Sequence, residues 1–209
     1  MGNAKKSVSG FSLMEILFAL IIITTVLSIA VPRINDGLGL HLKASSRKLV
    51  SSIRFAYHKA ATTNKYYRMV FSLGTADQDS YWLEFTDSPF FVRTPKEREE
   101  FERKMGYLSE EERAKVMANE ARFSRIEEHL TQEVKLPKGI RFKDIYIEHQ
   151  AGRVDSGNVY LYFFPNGHTE RAVINIKDED DNVYSLDVSP LTGKVATRSE
   201  YLDYEEIPE

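Results

Sequence analysis

Residues 10–32 of the 209-residue chain read GFSLMEILFALIIITTVLSIAVP, and this stretch determines how the rest of the protein is organised. Within it, Phe11–Val31 carries a single charge, on Glu15. As an α-helix, this 21-residue run is roughly 32 Å long, enough to cross the hydrocarbon core of a bilayer. Lys5 and Lys6 precede it, so the positive-inside rule predicts a cytoplasmic leader and an exported remainder.

Three interpretations of this run compete. A cleaved secretory signal would use residues 28–30, Ser-Ile-Ala, as its small-residue site, but the run exceeds the usual apolar length of about 7–15 residues. A simple membrane anchor explains the length but leaves Glu15 as an unpaired charge that costs on the order of a few kcal/mol. The third interpretation gives Glu15 a partner.

Residues 10–15, with a basic leader before them and an apolar helix after them, resemble the class III signal of type IV pilins and type II secretion pseudopilins. The resemblance implies that a prepilin peptidase cuts after Gly10 and methylates the new amine of Phe11. It also implies that Glu15 meets the N-terminal ammonium of a neighbouring subunit, a pairing that makes both charges tolerable in an apolar filament core. Pro32 matches a family position and is expected to kink the helix.

A second, amphipathic helix is predicted over residues 33–64. Apolar residues recur on one face of it, which predicts packing against a sheet: Leu38, Leu42, Leu49, Ile53, Ala56 and Ala60. Another face, expected in solvent, carries Lys43, Arg47, Arg54 and His58. Asn64 is expected to end the helix.

After this helix the sequence alternates between aromatic or β-branched residues and polar ones, which is typical of strands. Seven strands are predicted, at residues 68–73, 81–85, 140–147, 159–164, 172–176, 183–188 and 194–197. Turns are expected at residues 74–77, 165–167 and 190–193. The predicted fold class is therefore α+β: a long N-terminal helix, half transmembrane and half amphipathic, packed on antiparallel sheet. The pattern leaves open whether there is one sheet or a sandwich.

The C-terminal half adds a second resemblance. Residues 164–167 (Phe-Pro-Asn-Gly), an acidic hairpin and residues 190–193 (Pro-Leu-Thr-Gly) resemble the H-type minor pseudopilins (general secretion pathway protein H) and related minor pilins. The two resemblances together span roughly residues 1–92 and 136–200. Two hairpin turns on a generic sheet explain the same residues without indicating a subtype.

Residues 93–133 have a different composition. Ten acidic and eight basic residues lie within Lys96–Glu128. We expect two amphipathic helices, Pro95–Met105 and Glu110–Thr131, split at Gly106, with Ser109 and Glu112 forming a capping box. This segment departs from the pilin pattern and is either a solvated helical excursion or a partner-binding element.

Other chemistry is weakly signalled or missing from the sequence. The chain has no cysteine, which excludes disulfides, thiolate metal sites and cysteine nucleophiles, and its five histidines lack metal-ligand spacing. Its net charge of −3 argues against nucleic-acid binding through overall basicity. Asp178, Asp180 and Asp181 are a weak calcium candidate without the spaced ligands of an EF-hand. No cofactor and no enzymatic activity are predicted.

The resemblance implies a leader at residues 1–10, a transmembrane and filament-core helix at 11–32, an amphipathic helix at 33–64 and a periplasmic head at 65–209. The predicted function is that of a minor pseudopilin in a type II secretion pseudopilus, held in the inner membrane before assembly. Its expected partners are other minor and major pseudopilins, the prepilin peptidase, the inner-membrane assembly platform and secreted cargo. A minor pilin of a type IV pilus, or an anchored periplasmic binding module, remain alternatives.

Overall fold

The computed structural model describes residues 13–30, 37–74, 78–126, 132–150 and 152–204. The chain divides into two compact units, Met1–Gly37 and Leu38–Glu209. The helices are α1 (Leu13–Ala30), α2 (Gly37–Thr63), α3 (Pro95–Tyr107) and α4 (Glu110–Asn119). The strands are β1 (Tyr66–Leu73), β2 (Ser80–Thr86), β3 (Ser124–Arg125), β4 (Val134–Lys135), β5 (Arg141–Ile147), β6 (Arg153–Val154), β7 (Gly157–Phe164), β8 (His168–Thr169), β9 (Ala172–Lys177), β10 (Val183–Val188) and β11 (Val195–Arg198).

Helix α1 lies in the first unit and is apolar on all sides. Its large side chains from Leu13 to Val26 are exposed, and the Thr25 hydroxyl donates to the Ile21 carbonyl at 2.7 Å, so this polar group is satisfied within the helix. In the part of the chain that the structure describes, no helix is long and apolar enough to cross a membrane. The ends of the predicted span, Phe11 and Val31, lie outside the described residues.

Helix α2 buries one face and exposes the other, as the stripe predicts. Leu42, Leu49, Ile53 and Ala56 are fully buried, as is Ala60 to within 1%. The predicted solvent face is exposed at Lys43, Arg47, Arg54 and His58. The helix ends before Asn64, whose φ of +54° stops the helical hydrogen-bond pattern.

The strands form two antiparallel sheets, which answers the question that the sequence left open. Sheet A has the order β3-β2-β1-β7-β8, with β4 also pairing with β2, and sheet B has the order β11-β10-β9-β5-β6. The buried face of α2 and the inner faces of both sheets form one hydrophobic cluster, which includes Phe71, Phe163 and Ile174. The α+β prediction, a helix with antiparallel sheets, is confirmed at this level.

All seven predicted strands occur, within a few residues of the predicted bounds. The sequence missed four strands of two residues each, β3, β4, β6 and β8, because so short a segment shows no alternation. Each of these pairs along an outer edge of a sheet and limits the exposed edge to which another chain could add.

The prediction for the second charged helix was wrong in length. Helix α4 ends at Asn119 instead of continuing to Thr131, and the chain returns to sheet A as β3. The reason is that Ile126 is buried and its N–H donates to the Leu83 carbonyl at 3.2 Å, a sheet contact that a helix would forbid. Gly106 lies inside α3 and does not divide the helices; Ser109 begins α4, with the predicted capping box to Glu112.

After β11 the chain folds back over the outer face of sheet B. Asp144, Asn175 and Ser185 form a buried polar row across β5, β9 and β10. The Asn175 amide donates to Asp144 Oδ1 at 2.6 Å, and Leu202 N donates to Ser185 Oγ at 3.0 Å. The C-terminal segment therefore covers and satisfies polar groups that lie on the sheet surface.

Tyr57 connects α2 to one turn of each sheet. Its hydroxyl lies 2.7 Å from the Gly167 carbonyl oxygen, in the turn between β7 and β8, and 3.1 Å from the Leu191 carbonyl oxygen, in the turn between β10 and β11. Its ring covers Gly193 so closely that a Cβ on this residue would lie 2.4 Å from ring carbons. The two Gly-containing turns that carry the C-terminal resemblance thus meet at a single side chain.

We expect Gly193→Ala to lower the free energy of unfolding by about 2 kcal/mol or more, because its φ of +59° is left-handed and the new methyl group overlaps the Tyr57 ring. Chemical denaturation monitored by circular dichroism measures this. Gly106→Ala is the control, since nothing lies within 4 Å of its Cβ position and alanine favours α3. Equal effects of the two substitutions would contradict the proposed packing.

Candidate functional site

The residues of the predicted processing signal are only partly within the described structure. Glu15 lies in the first turn of α1, with its side chain exposed, where the helix dipole favours a carboxylate. Gly10, Phe11 and Pro32 lie outside the described residues. The structure therefore places Glu15 on an accessible apolar helix.

The three aspartates of the calcium candidate lie in the hairpin turn between β9 and β10. The Asp178 carboxylate is buried, and its Oδ1 accepts hydrogen bonds from Asp180 N at 3.0 Å and Asn182 N at 2.9 Å. Asp181 forms an ion pair with Lys177, which lowers the pKa of its carboxyl group. Among the described residues, no group of three or more histidines and carboxylates could hold a metal ion. The arrangement supports a hairpin-closing role for these aspartates.

A cleft lies between the outer face of sheet A and the helices α3 and α4. Its volume is about 620 Å³, within the range of roughly 300–1,000 Å³ typical of ligand pockets. The charged composition of residues 93–133 indicates a possible binding element, but it does not indicate which of its side chains line this cleft.

Arg68 of β1 forms part of the floor of the cleft. Its guanidinium lies between two aromatic rings, 4.0 Å from the centre of Phe123 and 4.6 Å from that of Tyr160. It also donates from Nε to Glu84 Oε2 at 2.7 Å, because the β1–β2 register sets these two residues opposite each other. The charge is thereby held rigidly on a flat, aromatic surface.

A buried hydrogen bond between His149 and Glu170 supports the same floor. The Glu170 carboxylate, 8% exposed, lies 2.5 Å from His149 Nδ1 and accepts a hydrogen bond from Tyr162 N at 3.1 Å. Burial raises the pKa of the Tyr162 hydroxyl, whose ring faces the cleft beside Phe90. His149 and Glu170 therefore fix the strand that presents this ring.

The opposite wall consists of two short helices that are tied together at their ends. The guanidinium of Arg93, just before α3, forms a bidentate ion pair with the carboxylate of Glu120, just after α4. The two N–O distances are 2.6 and 3.2 Å. The Arg93 guanidinium also lies 4.0 Å from the centre of the Phe101 ring. Arg113 of α4 donates to the Met105 carbonyl at 2.6 Å and so ties α4 to the end of α3.

Both helices begin with a capping box. Thr94 accepts from Glu97 N while Glu97 accepts from Thr94 N, and Ser109 and Glu112 do the same. The Thr94 box could have been predicted, since the sequence shows Thr-x-x-Glu at residues 94–97 with Pro95 at the first helical position. The Arg93–Glu120 pair joins residues 27 apart, and no sequence pattern marks it.

The mouth of the cleft presents large apolar side chains to solvent. Phe91 is 88% exposed and Met117 is 55% exposed, although both line the cleft. Aromatic residues, methionine and arginine are the residues enriched at protein interfaces. The residues that line the cleft can contact an apolar group and pair with a charged one, so the cleft is suited to binding a ligand.

Comparisons with known proteins give one structural likeness. No model of a known protein family matches the sequence, and no curated protein matches it. Among solved structures, the chain is similar to the minor pseudopilin EpsH from the Type 2 Secretion System of Vibrio cholerae, with 9% sequence identity and a TM-score of 0.40. The likeness covers 76% of this chain and 94% of that one. At this identity and score it carries no functional argument.

We expect acid to loosen the two-helix wall of the cleft. Hydrogen bonds from Thr94 lower the pKa of Glu97, those from Ser109 lower that of Glu112, and the bond from Arg93 lowers that of Glu120. A carboxyl group with a lowered pKa stabilises the fold above its ordinary pKa of 4.5, and this stabilisation disappears as the pH falls through the lowered value. Amide hydrogen exchange of residues 95–119, corrected for intrinsic rates, should show decreasing protection below about pH 4.5.

The double substitution Glu97→Gln and Glu112→Gln is the control. Glutamine keeps the capping geometry but does not titrate, so the contribution of the caps to the acid effect should disappear. An acid response that is unchanged in this variant would contradict the assignment to the caps.

Proposed function

We propose that this chain is a minor pseudopilin of a type II secretion pseudopilus, which helps to initiate or cap the filament during export of folded proteins across the outer membrane. The observation that carries the proposal is the sequence of residues 10–15, in which Gly10 precedes the apolar run Phe11–Val31 and Glu15 is the single charge of that run. The described helix α1 and the α+β head behind it are compatible with such a subunit.

In the proposed mechanism, the chain acts by assembling with other subunits into a filament. A prepilin peptidase cuts after Gly10, and the methylated ammonium of Phe11 then meets a Glu15 carboxylate of the neighbouring subunit. Both groups are costly in an apolar core when alone and tolerable as a pair, so the pairing selects the axial register of the subunits. The apolar surface of α1 would be covered by the corresponding helices of neighbouring subunits.

We propose that the subunit waits in the inner membrane as a single-pass protein, with its head in the periplasm. In the filament, its partners would be other minor and major pseudopilins, with the inner-membrane assembly platform and the cargo in further contact. The net charge of −3 does not favour nucleic acid as a partner.

A second candidate function is that of an anchored periplasmic binding module. The cleft beside α3 and α4 favours it, because a cleft of this size with exposed Phe91 and Met117 serves binding without any filament. The processing state of the N-terminus separates the two candidates.

In cells that contain a prepilin peptidase, the mature chain should begin with a methylated Phe11, and Gly10→Ala should leave it uncleaved. Mass spectrometry of the N-terminal peptide measures both results. Gly106→Ala is a matched control in the head and should be processed normally, since its Cβ position is open. A retained Met1 in the parent protein would contradict the pseudopilin proposal and favour the anchor.

We expect Glu15→Ala to be processed and yet to be lost from filaments, because the ammonium of the neighbouring subunit then has no buried partner. Co-purification of the tagged chain with sheared filaments measures incorporation. Glu99→Ala removes an exposed carboxylate of α3 and should be incorporated like the parent chain. Normal incorporation of Glu15→Ala would refute the pairing mechanism.

A further inference from the structure

The cleft beside α3 and α4 is positively charged on a chain that is negative overall. Its lining includes four arginines, Arg68, Arg93, Arg98 and Arg113, and only two carboxylates, Glu102 and Glu120. The chain as a whole has a net charge of −3. The sign of the cleft is therefore opposite to that of the protein.

The helices themselves distribute their charges unequally between the cleft and the solvent. Helices α3 and α4 carry seven glutamates, of which only Glu102 lines the cleft. The outward-facing remainder includes three consecutive acids, Glu110–Glu112, in the first turn of α4. The cations that line the cleft are thus all arginines, whereas six of the seven helix glutamates lie outside its lining.

The four arginines differ in whether their charge is already paired with a carboxylate. Arg68 is paired with Glu84 and Arg93 with Glu120, whereas Arg113 donates to main-chain carbonyls and keeps an uncompensated charge. Within the described ranges, the Arg98 guanidinium has no hydrogen bond or ion pair. Arg98 and Arg113 are therefore the groups available to an incoming carboxylate.

The floor between these cations is aromatic. Phe90 contacts Phe123 and Tyr162 with ring centres 5.1 and 4.9 Å apart, and both partners also line the cleft. Met105 and Met117 lie at the helix side, and methionine adapts to apolar groups of different shape. An aromatic or long aliphatic side chain would be buried here and would also cover Phe91.

We propose that this cleft binds an acidic peptide segment of a partner protein. One aromatic or long aliphatic side chain of the segment packs on Phe90, Phe123 and Tyr162, and flanking carboxylates pair with Arg98 and Arg113. The inference goes beyond the proposed assembly role. It concerns the head alone and holds whether or not the chain enters a filament.

The arrangement favours such a peptide over nucleic acid. A phosphate backbone requires a track of cations, whereas the cations of this cleft are interspersed with the carboxylates of Glu102 and Glu120. A short segment that combines one apolar anchor with a few carboxylates needs cations at this one site only.

The test uses the full-length chain in detergent micelles and fluorescence anisotropy of labelled, capped five-residue peptides. The first peptide has a central phenylalanine flanked on each side by two glutamates. The second replaces phenylalanine by serine, the third replaces the glutamates by lysines, and a labelled single-stranded DNA oligonucleotide is a fourth probe. We expect saturable binding of the first peptide that weakens with salt, and at least about tenfold weaker binding of the others.

Arg98→Glu should weaken the first peptide at least about tenfold, because it replaces an available cation by a repelling anion. Arg103→Glu is the matched control: it makes the same charge change on an exposed residue of α3 that does not line the cleft, and it should change the affinity less than about twofold. Met117→Ala should weaken the phenylalanine peptide but not the serine peptide, and Leu191→Ala, at an exposed site outside the cleft, should affect neither.

Circular dichroism of every variant verifies that the head remains folded. Absence of binding by the first peptide, equal effects of Arg98→Glu and Arg103→Glu, or tighter binding of the oligonucleotide would each overturn the proposal. None of these results depends on cleavage at Gly10 or on Glu15, so they leave the assembly proposal to its own tests.

Discussion

The buried face of α2 is the surface on which both sheets of the head close. Leu49, Ile53 and Ala56 belong to the same hydrophobic cluster as the inner residues of sheet A and sheet B. Truncating one such fully buried leucine or isoleucine to alanine typically costs about 2–5 kcal/mol, a large part of the stability of a domain. The sheets, the turns and the cleft all depend on this one helix remaining in place.

The outer face of sheet A depends on that core in turn. Alternation along β7 directs Leu161 and Phe163 into the core and leaves Tyr162 facing outward. The same alternation in β1 presents Arg68 on the outer face, next to Tyr162 in the register. The cleft floor therefore follows from the alternation of side chains along the strands. The two capped helices stand beside this flat surface and form the wall that makes it concave.

Much of the fold could be predicted because its signals are local. The α2 stripe, Asn64 at the helix end and the seven longer strands each follow from periodicity within a short window. What the sequence did not reveal depends on contacts between distant residues. Tyr57 reaches turns 110 and 134 residues away, and the burial of Ile126 ended a helix that its own pattern would have continued.

The cleft was harder to predict for the same reason. The charged composition of residues 96–128 is visible in the sequence, but only the folded chain shows which charges face inward. Arg98 and Arg103 lie in the same charged segment and cannot be distinguished from the sequence, and yet only Arg98 of the two lines the cleft. The calcium candidate shows the opposite case, in which adjacent acids suggest a site and Asp178 instead closes a turn.

The contacts of Tyr57 also have a mechanical meaning. A pulling force that is applied to α2 acts also on Tyr57, which belongs to this helix. Because the Tyr57 hydroxyl contacts the β7–β8 turn of sheet A and the β10–β11 turn of sheet B, the load enters both sheets together. The Thr169 N–H of β8 donates to the Pro190 carbonyl at 2.9 Å and links β8 of sheet A to the β10–β11 turn of sheet B. The force is thus shared between the two sheets, and neither sheet by itself has to resist separation from α2.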